Sequence, residues 1–415
     1  MPAPQRAFIR YSVAQSVSVT GTWIQAVGSS WVIFQLSESG TVLGVAVAMQ
    51  FLPLLLAGPY GGVLVDRYDL RRLLLVTQLA LGLLSLVMGV LVLADELTLW
   101  MMLMIVPCLG LIDIVDLPGR DAFVARIVPG DRLVRAAAVG PVLADIARAV
   151  GPLLAGLLIT TVGPGWCFFG NALSYVPLII LLVRLKGVAS KRRPNTGGEP
   201  SGVRDALRLV LGDRTLLLPL VMVFLVGMLA YKFMVSLPLL AARTFDGSAM
   251  TLSLFLGALA VGSVTAGLCS RWLPGRSVSV MALSAVALGL TLGIVASAGS
   301  ATVAVMGLIG VGASSAVFLA LGNATLQSGV EPAFRGRIMA FWSMGLLGTT
   351  PVGGPIVGWV GEHLGPRHAV LLGAAAATVA GLMGWLAVRR GAPRERAPGV
   401  DARAADAALS GMGES

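Results

Sequence analysis

Twelve apolar stretches of about twenty residues divide this chain, and the short segments between them hold most of its charged residues. A helix needs about 20 mostly apolar residues to cross the hydrocarbon core of a bilayer. Backbone groups in lipid must be hydrogen-bonded within the chain, and the alternating pattern of a membrane β-barrel is absent, so each stretch is predicted to be a helix. The predicted spans are 12–36, 41–64, 73–93, 99–117, 137–160, 165–185, 216–240, 250–270, 278–297, 301–323, 338–360 and 369–388.

Composition supports burial in lipid and argues against several functional classes. The chain is 56% hydrophobic and 12% charged, whereas about 25% of the residues of a soluble domain are charged. The net charge is +10, but the basic clusters lie between apolar stretches without interleaved aromatic residues, so no nucleic-acid partner is predicted. The three cysteines and two histidines lack metal-ligand spacing. We therefore expect no metal, no cofactor and no enzyme active site.

The distribution of basic residues predicts the orientation in the membrane. With a cytoplasmic N-terminus, all but four of the 30 lysines and arginines fall on the cytoplasmic side. The exceptions are Arg148 and Lys232 inside spans, and Arg243 and Arg367 in the opposite loops. Because short loops rich in Lys and Arg stay in the cytoplasm, we predict a multi-pass protein of the plasma (inner) membrane with both termini inside.

A polar segment separates the first six spans from the last six. Residues 186–214 are predicted to form a cytoplasmic linker, which ends in a short amphipathic helix, Val203 to Leu211, on the membrane surface. We predict an N-terminal six-helix bundle over 1–185, a C-terminal six-helix bundle over 215–388 and a disordered cytoplasmic tail over 389–415. The pair Gly151-Pro152 recurs as Gly354-Pro355, which indicates a duplicated six-helix unit.

The segment from Gly61 to Arg72 joins the second and third spans. Its five charges cannot lie in hydrocarbon, so it turns the chain at a membrane surface. The segment resembles the signature loop of the major facilitator superfamily, Gly-x-x-x-Asp-Arg-x-x-Arg-Arg, although Asp69 or Leu70 stands where the family often has glycine. The matching residues are Gly62, Asp66, Arg67, Arg71 and Arg72.

Other segments resemble one branch of that superfamily, the enterobactin-exporter-like and macrolide-efflux-like transporters. These segments are 21–25, 117–124, 147–156 and 334–339. The resemblance implies an all-α membrane protein of twelve transmembrane helices in two pseudo-symmetric six-helix bundles. It also implies alternating-access transport, usually efflux driven by proton antiport. Spans 1, 4, 7 and 10 would line the cavity, and spans 2, 5, 8 and 11 would shape the gates.

The resemblance implies a cytoplasmic gate at the signature loop. Its acid, Asp66, would hold the gate shut by meeting the N-terminal end of the eleventh span, where Arg335 and Arg337 stand. A helix N-terminus carries about half a positive charge, which suits such a contact. The predicted gating residues are Asp66, Arg67, Arg71, Arg72, Arg335 and Arg337.

Charged residues inside spans are candidates for proton coupling. An arginine near mid-span, such as Arg148, costs about 2.5–3.5 kcal/mol on insertion scales, and Asp145 lies three residues earlier on the same face. The two residues form either a proton-dependent charge switch or a fixed pair. On the fourth span, Asp113 is the deeper acid and a coupling candidate, whereas Asp116 and Arg120 are predicted to form an interfacial pair.

The predicted cavity residues are Trp23 and Gln25 on span 1, Lys232 on span 7 and Asn323 on span 10. For Gln25 and Asn323 the alternative role is hydrogen bonding between packed helices. Lys232 would attract an anionic substrate, gain and lose a proton during the transport cycle, or extend to the outer interface. The leading hypothesis is a monomeric secondary transporter that exchanges protons for a small amphipathic molecule, such as a drug, siderophore or secondary metabolite. Its other expected partners are the lipids of the membrane. The alternative is a lipid- or lysolipid-translocating or -sensing protein in which Arg148 and Lys232 bind a phosphate head group.

Overall fold

The computed structural model describes residues 3–127, 133–184, 203–269 and 278–390 as helices joined by short turns. The helices are α1 (Ala3–Ser37), α2 (Gly40–Arg67), α3 (Leu70–Leu93), α4 (Leu99–Ile127), α5 (Leu133–Thr161), α6 (Gly165–Ser174), α7 (Val176–Arg184), α8 (Val203–Gly212), α9 (Arg214–Leu225), α10 (Phe233–Thr244), α11 (Ala249–Cys269), α12 (Val278–Ser297), α13 (Ala301–Ser328), α14 (Pro332–Ser343), α15 (Thr350–His363) and α16 (Pro366–Arg389).

These helices make twelve membrane passages, which confirms the predicted fold class. The sixth passage is α6–α7, the seventh α9–α10 and the eleventh α14–α15, while the other passages are single helices. In the described ranges, nine helical stretches are long and apolar enough to cross a membrane, and Ile146–Thr161 is a shorter apolar one. The first passage, α1, has 35 residues and extends about 50 Å at 1.5 Å per residue, longer than the hydrocarbon core is thick.

The helix contacts repeat between the two halves. In the first half α2 packs on α4, α3 on α4 and α3 on α6; in the second half the equivalent pairs are α11 with α13, α12 with α13, and α12 with α16. The turn after the first passage and the turn after the seventh each hold an acidic residue with positive φ, Glu38 at 49° and Asp246 at 45°. The fold is therefore the pseudo-symmetric pair of six-helix bundles that the sequence predicts.

The most extensive contacts between the halves are made by two helix pairs, α2 with α15 and α5 with α11, while α1 and α2 also contact α10. On the first pair, glycines bring the backbones together: a Cβ on Gly44 would lie 2.3 Å from the carbonyl oxygen of Gly354, and one on Gly40 would lie 2.8 Å from that of Gly358. These four residues are called the glycine seam. They lie toward the end of the bundle that carries Glu362, called the Glu362 end; the opposite end carries Gly61 to Arg72 and is called the signature-loop end.

Two passages of the second half are interrupted, which the sequence did not predict. The seventh passage has a π-helical segment at Val226–Ala230 and leaves helical geometry at Tyr231 and Lys232 before α10 begins. The eleventh passage has a π-helical segment at Met344–Gly348. The two irregular segments contact each other, because a Cβ on Gly227 would lie 2.2 Å from the carbonyl oxygen of Gly345.

The amphipathic helix predicted at the end of the linker is present as α8. Its apolar residues Ala206 and Val210 are buried, and α8 packs on α9 and α14 of the second half. Residues 186–202 of the predicted linker and 391–415 of the predicted tail lie outside the described residues. The domain boundaries and the seat of α8 on a membrane surface stay predictions.

Candidate functional site

In the signature loop, Arg71 is bound within the first half of the protein. Its guanidinium donates hydrogen bonds to the carbonyl oxygens of Leu182 and Val183, the latter at 2.9 Å, in the last turn of α7. The last four carbonyls of a helix have no partner within the helix, so Arg71 caps the sixth passage. Asp69 caps α3 by accepting a hydrogen bond from the backbone N–H of Arg72 at 2.9 Å. These contacts thus tie α3 to α7 within the first half and cap the start of α3.

Arg71→Ala is expected to lower the free energy of unfolding by roughly 1 kcal/mol, because the half-buried guanidinium satisfies two helix carbonyls. Arg72→Ala is the matched control, since the Arg72 side chain is exposed and its structural contact is made by the backbone. Thermal unfolding of the purified proteins in detergent measures the difference. Equal unfolding temperatures for the two variants would contradict the capping role.

The predicted cytoplasmic latch stays a prediction. The side chain of Asp66 lies outside the described part of the structure. Arg335 is exposed and Arg337 is half-buried in the first turns of α14. Arg67 is exposed at the last residue of α2.

Two acidic residues on α4, Asp116 and Asp113, differ in burial and in hydrogen bonding. Asp116 is 1% exposed, and one of its oxygens accepts hydrogen bonds from Thr77 Oγ1 and Gln78 Nε2, each at 2.7 Å. Its other oxygen lies 2.5 Å from Nε of Arg120. The predicted pair of Asp116 and Arg120 is therefore present, but it is buried against α3. Asp113, one turn earlier, is half-buried and makes no hydrogen bond within the described part of the chain.

Gln25 lies inside the first bundle. Its Oε1 accepts a hydrogen bond from Nδ2 of Asn171 at 2.7 Å, and its Nε2 lies 3.8 Å from Sδ of Met88. The Asn171 amide also lies within 3.3 Å of Ser85 Oγ and Tyr175 Oη. Because a buried amide without partners is costly, this cluster ties α1, α3 and α6 together. In this conformation, Gln25 is part of the bundle's packing.

Among the predicted site residues whose side chains the structure describes, Trp23 and Arg148 lie in contact across α1 and α5. The guanidinium carbon of Arg148 lies 5.4 Å from the ring centroid of Trp23, within the range of a cation–π interaction. The Arg148 side chain is exposed and Trp23 is half-buried, so α1 and α5 present an aromatic ring and a positive charge together. The side chain of Asp145 lies outside the described residues, and its pairing with Arg148 stays a prediction.

Lys232 is the most deeply placed of the predicted cavity residues. It is 4% exposed, and its Nζ donates a hydrogen bond to Oγ1 of Thr350 at 2.7 Å. The interruption of the seventh passage places Lys232 against the start of α15, where a Cβ on Gly353 would lie 2.9 Å from its Cε. A role of Lys232 toward substrate stays a prediction and requires a state in which this contact opens. Asn323 is half-buried on α13 and accepts a hydrogen bond from Gln327, one turn later.

A polar contact joins the two halves at the Glu362 end, and no motif in the sequence predicts it. Oε2 of Glu362 accepts hydrogen bonds from Ser39 Oγ at 2.7 Å, from the backbone N–H of Thr41 at 2.9 Å and from the Thr41 hydroxyl. Arg243, at the end of α10, donates to the carbonyl oxygen of Glu38. These partners are separated by 205 to 323 residues, and no local pattern in the sequence connects them.

The repeated six-helix halves, the helix contacts between them and the signature loop define a membrane transporter of the major facilitator class. The family model described as "transmembrane secretion effector" matches residues 1–399, and the chain belongs to this major facilitator family. Its members are transporters of small molecules rather than enzymes, and the expected branch resemblance is confirmed by the named relatives.

Curated relatives include two with informative names. Macrolide efflux protein A of Streptococcus pyogenes is 24% identical over 359 residues, which cover 82% of this chain and 86% of the relative. The staphyloferrin A transporter of Staphylococcus aureus is 22% identical over 256 residues, which cover 60% of this chain and 62% of the relative.

Solved structures support the fold. The nucleoside transporter NupG aligns with a TM-score of 0.74 at 16% identity, over 93% of this chain and 100% of that one. A bacterial homologue of the iron transporter ferroportin aligns with a TM-score of 0.73 at 15% identity, over 92% and 98%. Identities this low carry no statement about substrate.

Proposed function

We propose that this transporter exports a small amphipathic molecule by alternating access, with the two six-helix halves rocking about a pathway between them. The observation that supports this most directly is the glycine seam, where α2 and α15 meet backbone to backbone at the Glu362 end. On this reading the described conformation is closed at that end. Transport then requires a second conformation in which the seam has parted.

The proposed orientation places the signature-loop end in the cytoplasm. It rests on the distribution of the 30 lysines and arginines, since short basic loops remain on the cytoplasmic side. The Glu362 end then faces the exterior of a plasma membrane. A closed outer end is the state in which an exporter collects its cargo from the cell.

The proposed substrate class is an amphipathic molecule such as an antibiotic or a siderophore. The names of the relatives support it, since one is a macrolide efflux protein and another a staphyloferrin A transporter. The exposed guanidinium of Arg148 over the ring of Trp23 supports it as well, because this pair offers an apolar face next to a charge.

Asp113 is proposed as the residue that carries the coupled proton. Asp116 is engaged by Arg120, Thr77 and Gln78, whereas the half-buried carboxyl of Asp113 stands one turn away. A carboxyl at this depth, with no hydrogen-bond partner among the described residues, is suited to gaining and losing a proton during a transport cycle. The alternatives Asp145 and Arg148 remain candidates for the same role.

Asp113→Asn is expected to abolish gradient-driven accumulation of a macrolide in inverted membrane vesicles, because an amide cannot take up the proton. Accumulation should fall to the level that wild-type vesicles reach with a protonophore, while exchange without a gradient persists. Asp121→Asn is the matched control, since Asp121 lies on the same helix and is exposed. Wild-type accumulation that is indifferent to the protonophore would refute proton coupling.

The lipid-translocating alternative stays a hypothesis. It uses Lys232 as a partner for a phosphate head group, and in this conformation the ammonium is buried against Thr350. Vesicles that scramble a fluorescent lysolipid and do not accumulate macrolide or siderophore would favour that alternative.

A further inference from the structure

We propose that Glu362 is the residue that locks the outer gate, by completing the N-terminal cap of α2 from across the interface between the halves. This inference rests on the alternating-access mechanism proposed above and names a gating residue for it. A set of hydrogen bonds at the Glu362 end supports it, where α15 of the second half meets the start of α2 of the first.

The N-terminus of α2 supplies the donors. The first four N–H groups of an α-helix have no partner within the helix. Ser39 is the N-cap of α2, and its Oγ accepts a hydrogen bond from the N–H of Val42 at 3.2 Å. The N–H of Thr41 is satisfied instead by Glu362, at 2.9 Å. The cap of α2 is thus shared between its own serine and a carboxylate that belongs to the other half.

The position of Glu362 on its own helix supports a role toward the N-terminus of α2 in the other half. Glu362 is the penultimate residue of α15, and a negative charge near a helix C-terminus is disfavoured by the helix dipole. At the N-terminus of α2 the same charge is favoured. The carboxylate therefore stabilises the closed interface while it destabilises α15 alone, as expected of a residue that acts between the halves.

A second contact beside the carboxylate also joins the halves. Arg243 donates to the carbonyl oxygen of Glu38, and its guanidinium carbon lies 5.9 Å from the ring centroid of Phe34. Glu38 has a φ of 49°, in the left-handed region that non-glycine residues rarely adopt. The turn between α1 and α2 is thus held by two residues of the second half, Glu362 and Arg243.

The other seam is built differently. Where α5 meets α11, a Cβ on Gly156 would lie 2.3 Å from the hydroxyl of Ser253, and one on Gly257 would lie 2.6 Å from the side chain of Leu153. These contacts join small and apolar groups. Within the described residues, the carboxylate contact lies on the α2–α15 seam, so the charge-based lock is on one side of the gate.

The lock holds at ordinary pH. Glu362 lies beyond the predicted span 338–360, and the hydrogen bond from the Thr41 hydroxyl, followed by those from Ser39 and the Thr41 backbone, lowers its pKa from 4.5 to about 2. The neighbouring His363 acts in the same direction. A group with a lowered pKa contributes stability above its ordinary value and loses it as the pH falls through the lowered one. Acid outside the cell above pH 4.5 therefore leaves the gate closed.

The test measures how readily the seam opens, without substrate or gradient. The reporter is the thiol of an Ala48→Cys variant in which Cys108, Cys167 and Cys269 are replaced by serine. Ala48 is 8% exposed and lies one turn from Gly44, on the face of α2 that contacts Gly354. Its reaction with a membrane-impermeant maleimide is followed in intact cells and in inverted vesicles.

Glu362→Ala is expected to raise the labelling rate in intact cells by about tenfold or more, because hydrogen bonds to a charged acceptor are lost from the closed state alone. Glu96→Gln is the control, since Glu96 is an exposed acid at the same end of the bundle. An unchanged rate in Glu362→Ala would overturn the proposal. A rise confined to inverted vesicles would support the lock and refute the proposed orientation.

A substitution of the donor residue, Thr41, tests the contact independently of any folding defect in the Glu362→Ala protein. Thr41→Val removes the hydroxyl that donates to Glu362 and keeps the backbone N–H, so it should raise the labelling rate by a smaller factor. In a Glu362→Ala background the same substitution should add nothing, because residues in one contact are not additive. Fully additive effects in folded, monodisperse protein would overturn the proposal. Neither result depends on whether protons drive transport.

Discussion

Asp116→Ala is expected to destabilise the protein by about 3–5 kcal/mol, the usual cost of removing one partner of a buried ion pair. Asp116 is 1% exposed and Arg120 is 14% exposed. Without the carboxylate, the guanidinium would be left in a low-dielectric interior, and the Thr77 hydroxyl and the Gln78 amide would each lose an acceptor. Thermal unfolding in detergent, monitored by tryptophan fluorescence, measures the loss.

Two comparisons make this prediction specific. Asp121→Ala, at an exposed acid on the same helix, should change the unfolding temperature little. The double variant Asp116→Leu with Arg120→Met should recover part of the loss, since a buried pair is often replaced by apolar residues at little cost. An Asp116→Ala protein as stable as the wild type would show that the pair does not hold α4 to α3.

Gly44→Ala is expected to prevent the glycine seam from closing and so to impair transport strongly. The added Cβ would lie 2.3 Å from the carbonyl oxygen of Gly354, and that neighbour is backbone, which cannot rotate away. Overpacking of this kind costs about 1–3 kcal/mol, which shifts the balance between closed and open forms by about five- to 150-fold. Macrolide accumulation in vesicles should fall, and the thiol of Ala48→Cys should label faster from intact cells.

Gly58→Ala is the matched control on the same helix. A Cβ there would meet the side chain of Leu54 at 3.7 Å, which is ordinary van der Waals contact. Alanine is also the better helix former by about 1 kcal/mol, so this variant should be as stable as the wild type and fully active. Equal transport by the Gly44→Ala and Gly58→Ala proteins would contradict the role assigned to the seam.

The passages and the repeat were predictable because each depends on local composition. A run of apolar residues is enough to predict a span, and the basic linker between the sixth and seventh passages marks the division. The interruption at Tyr231 and Lys232 was not predictable, since it depends on π-helical segments that contact each other through Gly227 and Gly345. Local sequence does not specify that pairing.

The site was predictable where partners are close in sequence. Asp116 and Arg120, four residues apart, were expected to pair and do so. The hydrogen bonds that Asp116 accepts from Thr77 and Gln78 join α4 to α3 and were not foreseen. Two contacts arise only when the fold brings distant helices together. Lys232 is buried against Thr350, and Glu362 accepts hydrogen bonds from the start of α2.

The glycine seam also has a consequence for the membrane's role as an insulator. Where Gly40 and Gly44 face Gly358 and Gly354, backbone lies against backbone, and no side chains hold the two helices apart. Such a contact leaves no space for a file of water molecules, which is the route by which ions leak through a loosely closed protein. In the proposed state, closed at this end, we therefore expect each copy of the transporter to leak few ions across the membrane.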